Sequence, residues 1–165
     1  MLKGITRIKI NKMKIGQEFK NIELKIDESK SLSENDLKGK RIVIYFYPKD
    51  DTPGCTVEAI DFSLLKKKFE KLNTLIIGIS RDSIKKHKKF AEKHNLSILL
   101  ASDESGLVTE RFGVWVEKSM YGKKYMGIER STFLFDEKLK LIKVWEKVKV
   151  KNHADEVYNF ILESS

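Results

Sequence analysis

The run Arg41-Ile42-Val43-Ile44-Tyr45-Phe46-Tyr47 constrains this chain more than any other feature. After Arg41 it is an unbroken β-branched and aromatic stretch, which reads as a strand buried on both faces. Such a strand needs a layer of structure on each side. Thr74 to Ile79 is a second run of the same kind. Between them, residues 56–72 place Val57, Ile60, Leu64, Leu65, Phe69 and Leu72 on one helical stripe, and after the second run residues 83–94 place Ile84, His87, Ala91 and His94 on another. Ile22 to Ile26 alternates apolar and polar residues, as a half-buried strand does. A short strand near Ile98 to Ala101 and a helical turn from Ser105 to Arg111 follow. Ser131 to Phe135 and Lys140 to Trp145 flank Asp136-Glu137-Lys138-Leu139, a strand–turn–strand pattern. Ala154, Val157, Tyr158, Ile161 and Leu162 make a closing amphipathic helix. This order predicts an α/β domain with a central mixed sheet flanked by helices. The 165 residues suffice for one such domain. Residues 1–12 read as a short extension and 13–165 as the domain.

Charge narrows the partners. The 33 basic residues outnumber the 24 acidic ones, for a net charge of +9, but only five of the 33 are Arg. Lys is a hydrated point charge that decorates ordinary surfaces, whereas Arg suits bidentate phosphate and guanine contacts. Lys66-Lys67-Lys68 and Lys85, Lys86, Lys88 and Lys89 fall on expected amphipathic helices and read as solvated faces, so no nucleic-acid partner is expected. No apolar run approaches the roughly 18 residues a membrane span requires, and the first residues lack the apolar core of a secretory signal. A cytoplasmic location is the default. Gly106, Gly113, Gly122 and Gly127 form no phosphate-binding fingerprint. His87 and His94 lie seven residues apart, too far for an i, i+4 metal pair, and read as packed or solvated. His153, at a helix start, reads as a surface residue. No metal or bound cofactor is expected.

One cysteine, Cys55, excludes an internal disulfide and any multi-cysteine zinc site. It lies in a loop after a buried strand, where α/β folds place their sites. Thr52 then Pro53 reads as N-cap then first helical position, which puts Cys55 in the first turn near unpaired backbone N–H groups. A lone cysteine is often a small buried hydrophobe, yet that role favours the middle of an apolar stripe rather than a helix start. A helix N-terminus favours an anion by about 0.3–1 kcal/mol, and Asp50 and Asp51 oppose it. A reactive thiolate therefore needs a nearby cation as well. Lys49 is local, and Arg130, which follows Gly127 and precedes an apolar strand, is the notable arginine.

The segment Tyr45-Phe46-Tyr47-Pro48-Lys49-Asp50-Asp51-Thr52-Pro53-Gly54-Cys55-Thr56-Val57-Glu58-Ala59 resembles the active-site segment of the peroxiredoxins, in particular the bacterioferritin comigratory protein (peroxiredoxin Q) subfamily. Tyr121-Gly122-Lys123-Lys124-Tyr125-Met126-Gly127-Ile128-Glu129-Arg130-Ser131-Thr132-Phe133 resembles that subfamily's second signature. The resemblance runs over roughly residues 13 to 163. It implies a thioredoxin-like fold and a thiol-dependent peroxidase reducing hydrogen peroxide and small organic hydroperoxides. It also implies that Cys55 is the peroxidatic cysteine, that Thr52 and Arg130 position and stabilise the reacting oxygens, and that Pro48 shields the thiol. Lys49 and Glu58 stand as supporting partners.

The chain departs from the pattern at Ile60, where many members of the subfamily carry a resolving cysteine. Turnover is therefore expected to need an outside thiol: thioredoxin, glutaredoxin or a small-molecule thiol. A monomer is expected, with a homodimer as the alternative. The rival reading is a noncatalytic thioredoxin-like binding module whose basic surface docks an acidic partner or nucleic acid.

Overall fold

The computed structural model describes residues 12–165, so the expected extension over residues 1–12 lies, apart from Lys12, outside the described residues. In chain order the elements are β1 (Leu24–Lys25), β2 (Ser31–Leu32), α1 (Glu34–Leu37), β3 (Arg41–Phe46), α2 (Pro53–Leu64), α3 (Lys66–Lys71), β4 (Thr74–Ser80), α4 (Ile84–His94), β5 (Leu99–Ser102), α5 (Leu107–Arg111), β6 (Trp115–Met120), β7 (Lys123–Ile128), β8 (Ser131–Phe135), β9 (Leu141–Trp145) and α6 (His153–Glu163). Seven strands form one sheet in the order β2-β1-β5-β4-β3-β8-β9, and β6 and β7 form a separate hairpin. β3 pairs parallel with β4 and antiparallel with β8, so the sheet is mixed, as expected.

The central strand is buried on both faces. Ile42, Ile44 and Phe46 enter one core with Phe19, Phe112, Phe133 and Phe135. Val43, Tyr45 and Tyr47 enter the other, against Cys55, Ala59 and Phe62 of α2, Phe69 of α3, Phe90 of α4 and Val157 and Ile161 of α6. The period-two alternation of a strand sends neighbouring side chains to opposite sides of the sheet, and both sides are covered. The tightest contact is Tyr45 against Gly78 of the neighbouring strand. A Cβ there would lie 2.6 Å from the Tyr45 ring carbon Cζ, so only glycine fits.

Three expectations need correction. The helix over residues 56–72 is two helices, broken at Leu65. Its buried face is also different: Cys55, Glu58, Ala59 and Phe62 point inward, while Val57 and Leu64 are exposed. A polar residue and a small one occupy the inward positions, so counting large apolar side chains selects the wrong stripe. His153 is not a surface residue; it is buried, with its ring edge against Phe62 and Trp145. The strand expected from Ile22 to Ile26 shrinks to Leu24–Lys25, though Ile22 and Leu24 are buried and Glu23 and Lys25 exposed, as its alternation implies.

The lysine runs behave as solvated faces: Lys67, Lys68, Lys85, Lys86, Lys88 and Lys89 are all exposed. Among the described residues, no helix is long and apolar enough to cross a membrane.

Candidate active site

The chain leaves the sheet at a proline. Tyr47 still donates its amide to the Ile79 carbonyl at 3.1 Å, but Pro48 has no N–H with which to continue. The loop then enters α2 with Thr52 at the N-cap in extended conformation and Pro53 in the first position, which places Cys55 third in the helix. Thr56 is the first residue to bond back, to the Thr52 carbonyl. The amides of Gly54 and Cys55 are thus left without helical partners, in the turn that carries the sulfur. The Thr52 hydroxyl does not cap the helix. It donates to the Lys49 carbonyl at 2.8 Å, which commits its proton and leaves its oxygen lone pairs free.

Arg130 arrives from the other side of β3. The antiparallel register pairs Phe46 with Ser131, so Arg130, one residue before Ser131, sits at the start of the interior strand β8, beside the end of β3 where the Cys55 loop begins. Its Nη2 donates to the Cys55 Sγ at 3.3 Å and its Nη1 to the Glu58 Oε1 at 2.6 Å. Cys55 is 1% exposed and Glu58 is 1% exposed, so both contacts lie in a largely dry setting where charge–charge and hydrogen-bond energies are large. A Cβ on Gly54 would come within 3.3 Å of Arg130 Nη2, so the lack of a side chain there makes room for the guanidinium.

The electrostatics follow from burial. Burial pushes the Glu58 carboxyl up to about 7 against the pull of Arg130. Among the described residues its Oε2 has no hydrogen-bond partner. Burial works against the Arg130 guanidinium, but Glu58 and Cys55 outweigh it and hold its pKa above the ordinary value. Tyr45, whose hydroxyl is also unpartnered among the described residues, is held well above the usual phenol range by burial and then by Glu58 and Cys55, so it stays neutral. Burial, aided by Arg130, lowers His153 to about 4, and its neutral ring meets the Thr132 hydroxyl at 2.8 Å.

The structure brings Cys55, Arg130 and Glu58 into direct contact, with Thr52 at the same helix start. Pro48 is exposed on the rim. Lys49 is exposed too, and among the described residues its ammonium makes no ion pair; its carbonyl is what touches the site. The carboxylates of Asp50 and Asp51, which the sequence sets against the thiolate, are both taken up by α4. Asp50 meets His87 at 2.6 Å, and Asp51 meets Lys93 and His94 at 2.6 and 2.7 Å. Sequence reasoning also missed Lys118 on β6. It is half-buried across Gly127, and burial and Arg130 lower its pKa. Its hairpin carries too few buried apolar residues to be read as strand. One group of metal-ligating residue types converges among the described residues, Asp50, Asp82 and His87. Protein donors already occupy it: Asp82 accepts from the Asp50 amide and the Ser80 hydroxyl, and Asp50 accepts from Tyr47.

The chain that carries this arrangement is similar to known proteins. Residues 15–144 match the AhpC/TSA family. Peroxiredoxin Bcp of Bacillus subtilis is 51% identical over 153 residues, covering 93% of this chain and 98% of that protein. Peroxiredoxin Bcp of Escherichia coli K12 is 40% identical, covering 93% and 99%. Among solved structures, a cysteine-to-serine mutant of Xylella fastidiosa PrxQ superposes with a TM-score of 0.87 at 37% identity, covering 93% of this chain and 98% of that one. The Xanthomonas campestris bacterioferritin comigratory protein, solved as trapped intermediate and ligand complexes, gives 0.86 at 37% identity, covering 94% and 99%. The fold is therefore the thioredoxin-like fold of these neighbours, and the chain belongs to the AhpC/TSA family, as a peroxiredoxin of the Bcp (PrxQ) kind.

Proposed function

We propose that this peroxidase reduces hydrogen peroxide and small organic hydroperoxides at Cys55 and is returned to its thiol by a second thiol from outside the chain. The observation that carries this reading is the 3.3 Å contact of Arg130 with a buried sulfur in the first turn of α2. In the first step the Cys55 thiolate attacks the terminal oxygen of R–O–O–H in line with the O–O bond. The S–O bond forms, the O–O bond breaks, and RO⁻ leaves and takes a proton to become ROH. Cys55 is left as sulfenic acid. Arg130 stabilises the thiolate beforehand and the departing oxygen during the step. The Thr52 oxygen, with its own proton committed to Lys49, accepts a hydrogen bond from the hydroperoxide O–H and orients it. Glu58 holds the second arm of the guanidinium, and Pro48 forms the rim.

With no second cysteine in the sequence, the sulfenic acid condenses with an external thiol, releasing water and giving a mixed disulfide. A further thiol then frees Cys55. Thioredoxin, glutaredoxin and small thiols all fit this chemistry, and a reducing cytoplasm is where they are held reduced. The family match over residues 15–144 supports a single peroxiredoxin domain over 13–165, proposed to act as a monomer. The binding-module reading is not favoured, since the lysines lie dispersed on exposed faces. Peroxide consumption with a thiol donor, comparing wild type with Cys55→Ser, tests the function. Loss in the variant supports it, and equal activity sinks it.

A further inference from the structure

We propose that His87 and His94 of α4 are positioning residues that clamp the loop over residues 48–52, and so hold the Thr52 hydroxyl where Cys55 meets peroxide. The two histidines are two helical turns apart on one face, and they meet two consecutive loop residues. His87 Nδ1 lies 2.6 Å from Asp50 Oδ2, and His94 Nε2 lies 2.7 Å from Asp51 Oδ1. The inference rests on the peroxidase reading and names residues that reading leaves unused.

Hydrogen-bond counting shows how tightly the inner half is held. His87 Nε2 faces the Ala101 carbonyl at 2.9 Å while Nδ1 faces Asp50. The Tyr47 hydroxyl donates to the other Asp50 oxygen at 2.6 Å. Three acceptors therefore need three protons, and the set is complete only when the histidine–aspartate pair carries one proton more than a neutral imidazole and a carboxylate would. The pair is buried, with side chains 4% and 6% exposed. Asp82 joins from the loop before α4, accepting from the Asp50 amide at 2.8 Å. The outer half is wetter: Asp51 is 42% and Lys93 62% exposed, so this contact is worth little by comparison. Asp51 nonetheless sits in the left-handed region, with φ 56°, a conformation of non-glycine residues that persists when its surroundings fix it. Besides the backbone itself, the hydrogen bond from Thr52 Oγ1 to the Lys49 carbonyl ties this loop to the start of α2. Releasing Asp50 frees that carbonyl to move, and with it the only group other than Arg130 assigned to the peroxide.

The test measures two half-reactions by stopped-flow tryptophan fluorescence: oxidation of reduced protein by hydrogen peroxide, and reduction of oxidised protein by dithiothreitol. The variants are His87→Gln, Asp50→Asn, their double, His94→Gln, and Ile84→Val, which loosens α4 but makes none of the clamp's hydrogen bonds. The expected result is a tenfold or greater loss in the oxidation rate for His87→Gln and Asp50→Asn, no further loss in the double, and a loss of a few-fold for His94→Gln. Reduction by dithiothreitol stays the same or speeds up, because a looser loop exposes the sulfur. Oxidation at the wild-type rate in folded His87→Gln overturns the proposal. So does an equal loss in Ile84→Val, or a parallel fall in both half-reactions, since either marks general destabilisation. The Cys55→Ser chain in the same assay reports separately on the peroxidase reading.

Discussion

Replacing Arg130 with methionine separates what the guanidinium does for the thiolate from what it does for the leaving oxygen. Its Nη2 lies 3.3 Å from the Cys55 sulfur, and its side chain is 16% exposed. A hydrogen bond to a charged group in such a place is worth about 1.5–3 kcal/mol, or about 10- to 150-fold in any reaction of the thiolate at neutral pH. Stabilising the charge that develops on the departing oxygen is a second contribution, and loss of one such donor costs roughly 10²–10³ in rate. Alkylation by iodoacetamide involves the first contribution and not the second. Arg130→Met should therefore slow alkylation about 10- to 150-fold and peroxide oxidation by a further factor of about 10². One side effect must be removed. The variant strands Glu58, which is 1% exposed and whose carboxylate has Arg130 as its hydrogen-bond partner among the described residues. Breaking a buried pair is costly when one charge is left behind, although Glu58, with a pKa already near 7, escapes by taking a proton. The double variant Arg130→Met with Glu58→Gln keeps that site neutral. Stopped-flow oxidation and alkylation on both chains, alongside thermal melts, decide the matter. Equal slowing of the two reactions would refute the leaving-oxygen role, and recovery of the oxidation rate in the double variant would show that the loss was one of folding.

Two buried groups bend the pH–stability curve in opposite directions. The folded Glu58 holds its proton up to about 7 against an ordinary 4.5, so the stability it contributes is full below about 4.5 and is lost as pH rises through about 7. The folded His153 has its pKa lowered from 6.5 to about 4, so its contribution is present above 6.5 and is lost as pH falls through about 4. Urea unfolding across pH 4–8 should show Glu58→Gln flattening the neutral limb and His153→Gln flattening the acid limb, each by up to about 3 kcal/mol; limbs that keep their slopes would contradict the assignment. Gly54→Ala sets a helix-propensity gain of up to about 1 kcal/mol against a Cβ that would crowd Arg130 Nη2 at 3.3 Å. It should slow peroxide oxidation roughly 3- to 10-fold by displacing Arg130 a few tenths of an ångström. An unchanged rate would argue against tight placement of the guanidinium. Ile60→Cys introduces a thiol at i+5 on α2, about 8–9 Å from Cys55 between Cα atoms on a regular helix and beyond the reach of a disulfide. Peroxide should then yield an intramolecular bridge only with loss of helix by circular dichroism, and a bridge formed without that loss would show that α2 is already open.

The buried runs over residues 41–47 and 74–79 made the central strands legible, because burial on two faces leaves few other structures for so much apolar surface. Thr52-Pro53 marked the start of α2, since an N-cap residue followed by proline has little other use. Arg130 stood out as a charge at the edge of an apolar strand. The inward face of α2 was hidden because Glu58 occupies a core position that a hydropathy count assigns to solvent. The roles of His87 and His153 were equally out of reach. Their partners, Asp50 and Thr132, are 37 and 21 residues away in sequence. Nothing local distinguishes a solvated histidine from one that closes a long-range hydrogen bond. The β6–β7 hairpin escaped because both its faces are largely exposed and its strands lack the alternation that burial of one face imposes.

The central claim is that Cys55 alone carries the oxidising equivalent until a second thiol arrives. Intact-mass and peptide mass spectrometry after one equivalent of hydrogen peroxide tests it most directly. The account predicts one added oxygen on Cys55 in a monomeric chain, converted to a mixed disulfide when a small thiol is supplied and absent from Cys55→Ser. A disulfide-linked dimer as the main product, or peroxide consumed with Cys55 unmodified, would contradict it.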